Sequence, residues 1–468
     1  MMINWQEEAQ KRSEELLTDL FGLLRIDSER DIEHNSTEFP LGEGPAQALK
    51  YVLSLAEKDG FKTKNVENVA GRIEFGAGDE TLGILAHVDE VPAGAGWKTD
   101  PFEPQIIDGK LYARGSADDK GPLMAAYYAL KIIKALDLPV SKRVHFILGT
   151  DEESEWAGIT RYLEVEPTPD FGFSPDAEFP IINGEKGIAS FLIQFEPGLS
   201  TQGQVRLRQF DSGLRDNMIP QTATAIVEGD DLDNLSADFI SFASENGLIA
   251  DAQVEDHQYV LELTGKGAHA LEPRAGINAA TYLATFLDGL TLDPAGQQFV
   301  HVIHEHLHLD SRGEKLGIQK TDPLMGELTA SPDIFHYKPG QISDIIVNVR
   351  FPQGITADEI SQQMTLAIAQ PTINAKTFGR VEIPHYVPAN DPLVQTLLDV
   401  YERQTGEKGQ EQIIGGGTYG RILDRGVAFG AQFPGRENVM HQANEYMPVE
   451  DIITATAIYA EAIYELIK

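Results

Sequence analysis

The sequence predicts a discontinuous α/β domain with a doubly wound mixed sheet, interrupted by an inserted α+β domain. Three observations predict it. From the N-terminus to about Gly187, apolar strand-like runs alternate with helical patterns. After Gly187 the character changes to strands with an occasional helix between them. From Pro384 the first pattern resumes and closes the chain on a helix. The expected division is 1–187 with 382–468 as one domain, and 188–381 as the insert.

In the first segment, Thr81–Val88 reads as a buried strand, because its apolar run is continuous rather than alternating. Gly121–Leu136 reads as a helix, with Pro122 near its first position and Leu123, Ala126, Tyr127 and Leu130 at helical spacing. Val144–Leu148 reads as a second strand, running into Gly149-Thr150. In the insert, Ser190–Phe195, Ala223–Val227, Tyr259–Thr264 and Ile345–Phe351 read as strands. Phe239–Ser244 and Ile277–Leu290 read as helices. The last segment holds a helix near Pro392–Thr405, a glycine loop at Gly415–Gly420, and a closing helix at Ile452–Ile467.

The totals narrow the function classes. The 468 residues suffice for two or three domains, and 42% apolar content supports sizeable cores. Lys plus Arg number 37 against 73 Asp plus Glu, a formal charge of −36. That surface repels nucleic acid and anionic membrane. Cysteine is absent, which excludes disulfides, thiolate zinc sites and a cysteine nucleophile. The stretch MMINWQEEAQKRSEELL lacks the apolar core of a signal peptide, and no later run is long enough to span a bilayer. A cytoplasmic enzyme or binding protein is expected.

Five motifs carry the chemistry. The first is LGILAHVDEVP, Leu82–Pro92, in which His87 and Asp89 end an apolar run. Open α/β sheets bind ligands beyond the carboxyl ends of their strands. A strand-end histidine is also commonly just hydrogen-bonded. The second is RGSADDKG, Arg114–Gly121, with Asp118 and Asp119 just before a helix. Such acids favour a helix N-terminus anyway, but one can also bridge two cations. The third is Asp151-Glu152-Glu153, directly after a strand. Three acids there repel one another, which a cation or a shared proton relieves. The fourth is Pro175-Asp176-Ala177-Glu178 and the fifth His441-Gln442-Ala443-Asn444-Glu445. Together they offer the nitrogen and oxygen donors that suit zinc or manganese.

This ordered set resembles the dinuclear zinc hydrolase family that includes aminoacylase, carboxypeptidase G and succinyl-diaminopimelate desuccinylase. The resemblance covers essentially the whole chain. Within that family, RGSADDKGP, FSPDAEFPIINGE, GKGAHA, GGGTYGR and GVAFGAQ resemble its bacterial dipeptidase branch. It implies that 1–187 with 382–468 is the catalytic domain and 188–381 a lid. It implies two divalent metal ions, zinc first, with manganese or cobalt also suited. Asp118 would bridge them, with His87 and Asp176 completing one site and Glu153 and His441 the other. Asp89 would hold the tautomer of His87, and Glu152 would be the general base for a water that attacks the scissile carbonyl. His269 would reach the oxyanion from the lid. Asn217, Arg350 and the loop residues Gly416 and Thr418 would bind the substrate's carboxylate end.

The implied substrate is a small unblocked dipeptide. An N-acyl amino acid deacylase or desuccinylase would use the same site, and a metal-binding protein without catalysis is the reading from another class. The long insert implies a monomer. His269 and Arg350 also read as an ordinary loop histidine and a surface cation.

Two competing motifs point elsewhere. His304-Glu305-His306-Leu307-His308 fits the HExxH pattern of a single-zinc protease, and Gly415-x-Gly417-x-x-Gly420 fits a dinucleotide fingerprint. The first lies in the insert with no obvious third ligand; the second comes late in the chain. His145 reads as a packed core histidine.

Overall fold

The computed structural model describes residues 3–229, 232, 234–255 and 257–468. The chain divides into two compact units, Met1–Gly184 with His385–Lys468, and Glu185–Pro384. The sequence reading placed the joints at 187/188 and 381/382.

The first unit is built on a six-stranded sheet. Its order is Lys62–Val66, Ala70–Gly76, Arg143–Gly149, Thr81–His87, Phe171–Ser174 and Gly426–Ala428. The last four run parallel, while the two at the near edge are antiparallel to their neighbours. Thr81–His87 is buried at every position because it lies between parallel neighbours and is covered on both faces. Lys62–Val66 is a polar edge strand, KTKNV, with no alternation to read.

The helices Lys120–Ala135 and Val449–Ile467 share the main core with this sheet. Each buries residues on most of its circumference, so neither shows a clean polar stripe. Their buried polar groups are paired. Tyr127 donates to Asp59 Oδ2 and Tyr128 to Asp19 Oδ2, both at 2.6 Å. Lys120 Nζ, fully buried, donates to Glu90 Oε2 at 2.6 Å and to the carbonyl of Ile26 at 2.8 Å. Gly121 sits where an added Cβ would lie 2.0 Å from the Ser116 carbonyl oxygen, so only glycine lets this helix start so close to the preceding loop.

The second unit is an eight-stranded antiparallel sheet. Its order is Ile249–Glu255, Gln258–Thr264, Thr222–Gly229, Val205–Ser212, Thr329–Tyr337, Ser343–Phe351, Gly187–Phe195 and Ile373–Glu382. Helices Leu235–Glu245, Ala279–Asp288, Pro294–His306 and Ala357–Ile368 contribute to its core. The helix expected at Ile277–Leu290 starts at Ala279 because Asn278 caps it, its side chain accepting from the N–H groups of Ala280 and Thr281. Among the described residues, no helix is long and apolar enough to cross a membrane.

Candidate metal centre

The first unit's parallel strands deliver three of the five motifs to one edge. His87 ends Thr81–His87, Glu152 and Glu153 follow Arg143–Gly149, and Asp176 follows Phe171–Ser174. Asp118 precedes the helix Lys120–Ala135, and His441 lies on the loop before Tyr446–Pro448.

These side chains meet around Asp118. Its Oδ1 lies 3.1 Å from His87 Nε2, and its Oδ2 lies 2.8 Å from His441 Nε2. His87 Nε2 is also 3.6 Å from Asp176 Oδ2, and His441 Nε2 is 3.0 Å from Glu153 Oε1. The donor atoms of His87, Asp118 and Glu153 lie within 4.8 Å of one another, as do those of His87, Glu152 and Asp176. Donors bound to one tetrahedral cation at about 2.1 Å stand about 3.4 Å apart. The contacts of Asp118 with His87 and with His441, at 3.1 and 2.8 Å, are of that order. Glu153 Oε1 is buried, and the polar atom that faces it is His441 Nε2.

The electrostatics agree. Asp118, Asp176 and Glu153 form ion pairs with the two imidazoles. Burial, together with the charges of Asp176, Glu153 and Asp89, pushes the Glu152 carboxyl well above the ordinary range, against the pull of His87. Burial and Asp118 push Glu153 up to about 7. Burial and Asp118 raise Asp176 as well. Burial acts to lower both histidines, but the carboxylates outweigh it. Asp118 and Glu153 lift His441 to about 11, and Asp118, Asp176 and Asp89 raise His87. Burial likewise opposes ionisation of Asp118, yet His441 and His87 hold it low. The cluster crowds carboxyls around two imidazoles, so that most of its acids resist ionisation while both rings favour their cationic form.

The neighbouring acids divide their work. Asp89 sits beside His87, but the nearer partner of His87 Nδ1 is the Asp89 backbone carbonyl at 3.0 Å, with the carboxyl Oδ1 at 3.4 Å. Either contact places the proton on Nδ1 and frees Nε2 to face Asp118. Asp89 Oδ2 accepts from the Glu153 N–H at 3.1 Å. Asp119 was left without a role by the sequence reading. It occupies the helix N-cap position without capping, and instead accepts from the His87 N–H at 3.1 Å. The doubled aspartate was the available signal for it. Asp151 is structural: its two oxygens accept from Ala157 and Gly158 at the start of the helix Ala157–Val165.

The glycine loop lies in the same unit. Thr418 caps a four-residue 3₁₀ turn, Tyr419–Ile422, and accepts from Gly420 N–H at 3.0 Å. Gly416 precedes it, half-buried. An α-helix never starts here, so the dinucleotide reading lacks the helix N-terminus that holds a pyrophosphate. Tyr419 packs so tightly that a Cβ at Gly149 would lie 2.2 Å from its hydroxyl, which accounts for the glycine before the acidic turn.

The remaining predicted residues belong to the second unit. Asn217 and His269 are brought together by backbone pairing: Met218 bridges to His269, and the Ala270 N–H donates to the Asn217 carbonyl at 2.9 Å. The His269 ring is exposed, with Nδ1 accepting from Leu271 N–H. Arg350 lies on Ser343–Phe351, opposite Ile188 and Thr329, is buried, and donates to Asn348 Oδ1 at 2.9 Å. It is no surface cation. The HExxH pair is otherwise engaged. His304 Nδ1 meets Thr285 Oγ1 at 3.0 Å and His308 Nδ1 meets Thr281 Oγ1 at 3.2 Å, while the helix ends at His306. His145 is buried in its strand.

An open α/β sheet with a histidine–carboxylate cluster at its carboxyl edge is the architecture of a metal-dependent hydrolase. The chain belongs to the peptidase family M20/M25/M40, whose model matches residues 83–465. That family is metal-dependent. The chain is 46% identical over its full length to a β-Ala-Xaa dipeptidase of Lactobacillus delbrueckii subsp. lactis, covering 99% of that protein. It is 44% identical to a putative dipeptidase of Bacillus subtilis, with all of both chains covered. In fold it is similar to human carnosine dipeptidase 1, with TM-score 0.57 at 15% identity, covering 99% of this chain and 98% of that one. It is likewise similar to the aminoacylhistidine dipeptidase of Vibrio alginolyticus, with TM-score 0.58 at 14% identity, covering 97% and 96%.

Proposed function

We propose that this chain is a metal-dependent dipeptidase that hydrolyses unblocked dipeptides. The observation that carries the reading is Asp118, whose two oxygens face two different imidazoles. His87 and Asp176 would hold one divalent cation with it, and Glu153 and His441 the other. When bound, such ions supply Lewis acidity and lower the pKa of a water. Zinc suits these donors, and manganese or cobalt suits them too.

Glu152 takes the proton from the attacking water and passes it to the leaving amine. Its raised proton affinity fits a group that must hold that proton between the two steps. Asp89 and the peptide carbonyl it carries keep His87 in the tautomer that presents Nε2. Asn217, His269, Arg350, Gly416 and Thr418 are assigned to the substrate on the resemblance of their motifs. Arg350 suits a carboxylate, because its guanidinium presents a fork of donors. A small peptide substrate is supported by relatives named dipeptidases over the full length. The chain acts as a monomer on this reading; sedimentation at twice the chain mass would contradict it.

The test is a matched panel after chelation and reloading with zinc or manganese. It holds one free dipeptide, its N-acetyl form, a tripeptide and one N-acyl amino acid. Metal-dependent cleavage of the free dipeptide in preference to the others is expected. Cleavage confined to the acylated compounds would move the protein to the deacylases.

A further inference from the structure

His441 sits on an exposed loop. Of the residues Glu437–Glu445, only Glu445 is buried, and it is fully so. Its carboxylate collects four N–H donors from the loop that carries Asp118. Oε2 accepts from Arg114 Nη1 at 2.5 Å and from Gly115 N–H at 3.2 Å. Oε1 accepts from the N–H groups of Ala117 at 2.7 Å and Asp118 at 3.2 Å. Arg114 is buried as well.

Strand pairing alone does not account for this. Tyr446–Pro448 pairs with Lys110–Tyr112, and the Ala113 N–H reaches the Glu445 carbonyl, so the backbone register is already set there. Beyond Glu445 towards His441, Asn444 is tied to Gly96 and Lys98, a different segment. The Glu445 carboxylate adds four N–H contacts between the His441 loop and residues 114–118, beside the direct contact of His441 with Asp118. The His87 side has its own tie, because Asp119 accepts from the His87 N–H.

We propose that Glu445, paired with Arg114, is a positioning residue for one half of the metal centre, the half formed by His441 and Glu153. It acts by holding the His441 loop against the Asp118 loop; because Asp118 is shared, both halves feel its loss, and the half formed by His441 and Glu153 feels it more. This rests on the reading of Asp118 as the shared ligand of two ions.

The probe is Co²⁺, titrated into chelator-stripped protein and followed by calorimetry and visible absorption. Wild type takes two ions per chain. Glu445→Gln must turn its NH₂ towards one of the two donor pairs, so it loses accepted bonds and the charge. One ion should then bind within about threefold of wild type and the other about ten- to a hundredfold more weakly, with the visible band of the second equivalent altered. Arg114→Lys, which keeps the charge, should shift the same ion by less, and it carries the test if the first variant fails to fold. Unchanged affinity for both ions, or an equal loss at both, overturns the proposal, because a merely structural residue has no reason to favour one half. Fewer than two ions in wild type would instead sink the two-ion reading itself.

Discussion

Asp118 offers one oxygen to each imidazole, and Glu152 stands in the same cluster with no ligand role of its own assigned. The two glutamates Glu152 and Glu153 are adjacent in sequence and are assigned different tasks in the proposed mechanism. Glu153 contacts His441, whereas the Glu152 carboxyl makes no ion pair with either histidine. Replacing Glu152 with alanine should therefore lower kcat by about 10²–10⁴-fold while the bound metal, counted by elemental analysis, stays near the wild-type level. Turnover within a few-fold of wild type would remove Glu152 as the base. Loss of metal in step with activity would make it a ligand instead. Asp89 supplies the His87 contact through both its carbonyl and its carboxyl. Sequence alone pointed to the carboxyl, because the pattern HxD cannot distinguish a side chain from the peptide that bears it.

At the scale of elements, the parallel strands were legible because both faces are covered. The run from Leu82 to Ala86 contains no polar residue, and its end coincides with His87. The helix expected near Pro392–Thr405 is found there, and the structure adds its cap, the Asp391 side chain accepting from the Leu393 N–H. Thr329–Tyr337 was not legible, since Pro332 interrupts it and its register shifts just beyond that residue. Ile373–Glu382 was missed because most of its side chains are exposed and give no alternation. The Glu445–Arg114 tie was beyond reach for another reason: 331 positions separate the partners, and a charge pair at that distance has no sequence signature.

The strand Arg143–Gly149 makes a prediction of its own. Burial, assisted by Arg72, lowers His145 from its ordinary 6.5 to about 4. The folded chain keeps this ring neutral while the unfolded chain takes up a proton between those values. Stability is therefore fully present above pH 6.5 and lost as pH falls towards 4. His145→Leu should remove that part of the slope, on the order of 2 kcal/mol in the wild-type-minus-variant difference from urea unfolding of metal-free protein. Parallel pH profiles for the two proteins would contradict it.

For the molecule as a whole, the match to its dipeptidase relatives takes in both units of this chain. The five residues proposed as metal ligands all lie in the first unit, although His87 and His441 are far apart in the chain with the second unit inserted between them. In the sequence the insert shows as a change from alternating strands and helices to strands with an occasional helix; the antiparallel pairing of those strands comes from the structure. On the proposed function, two ions in this one cluster support dipeptide hydrolysis. The most direct measurement is hydrolysis of a free dipeptide by chelator-stripped protein as zinc or manganese is added back and counted. Activity absent without metal, and rising to a plateau at two ions per chain, is the predicted result. Turnover by the stripped protein, or a plateau reached with a single ion, would contradict it.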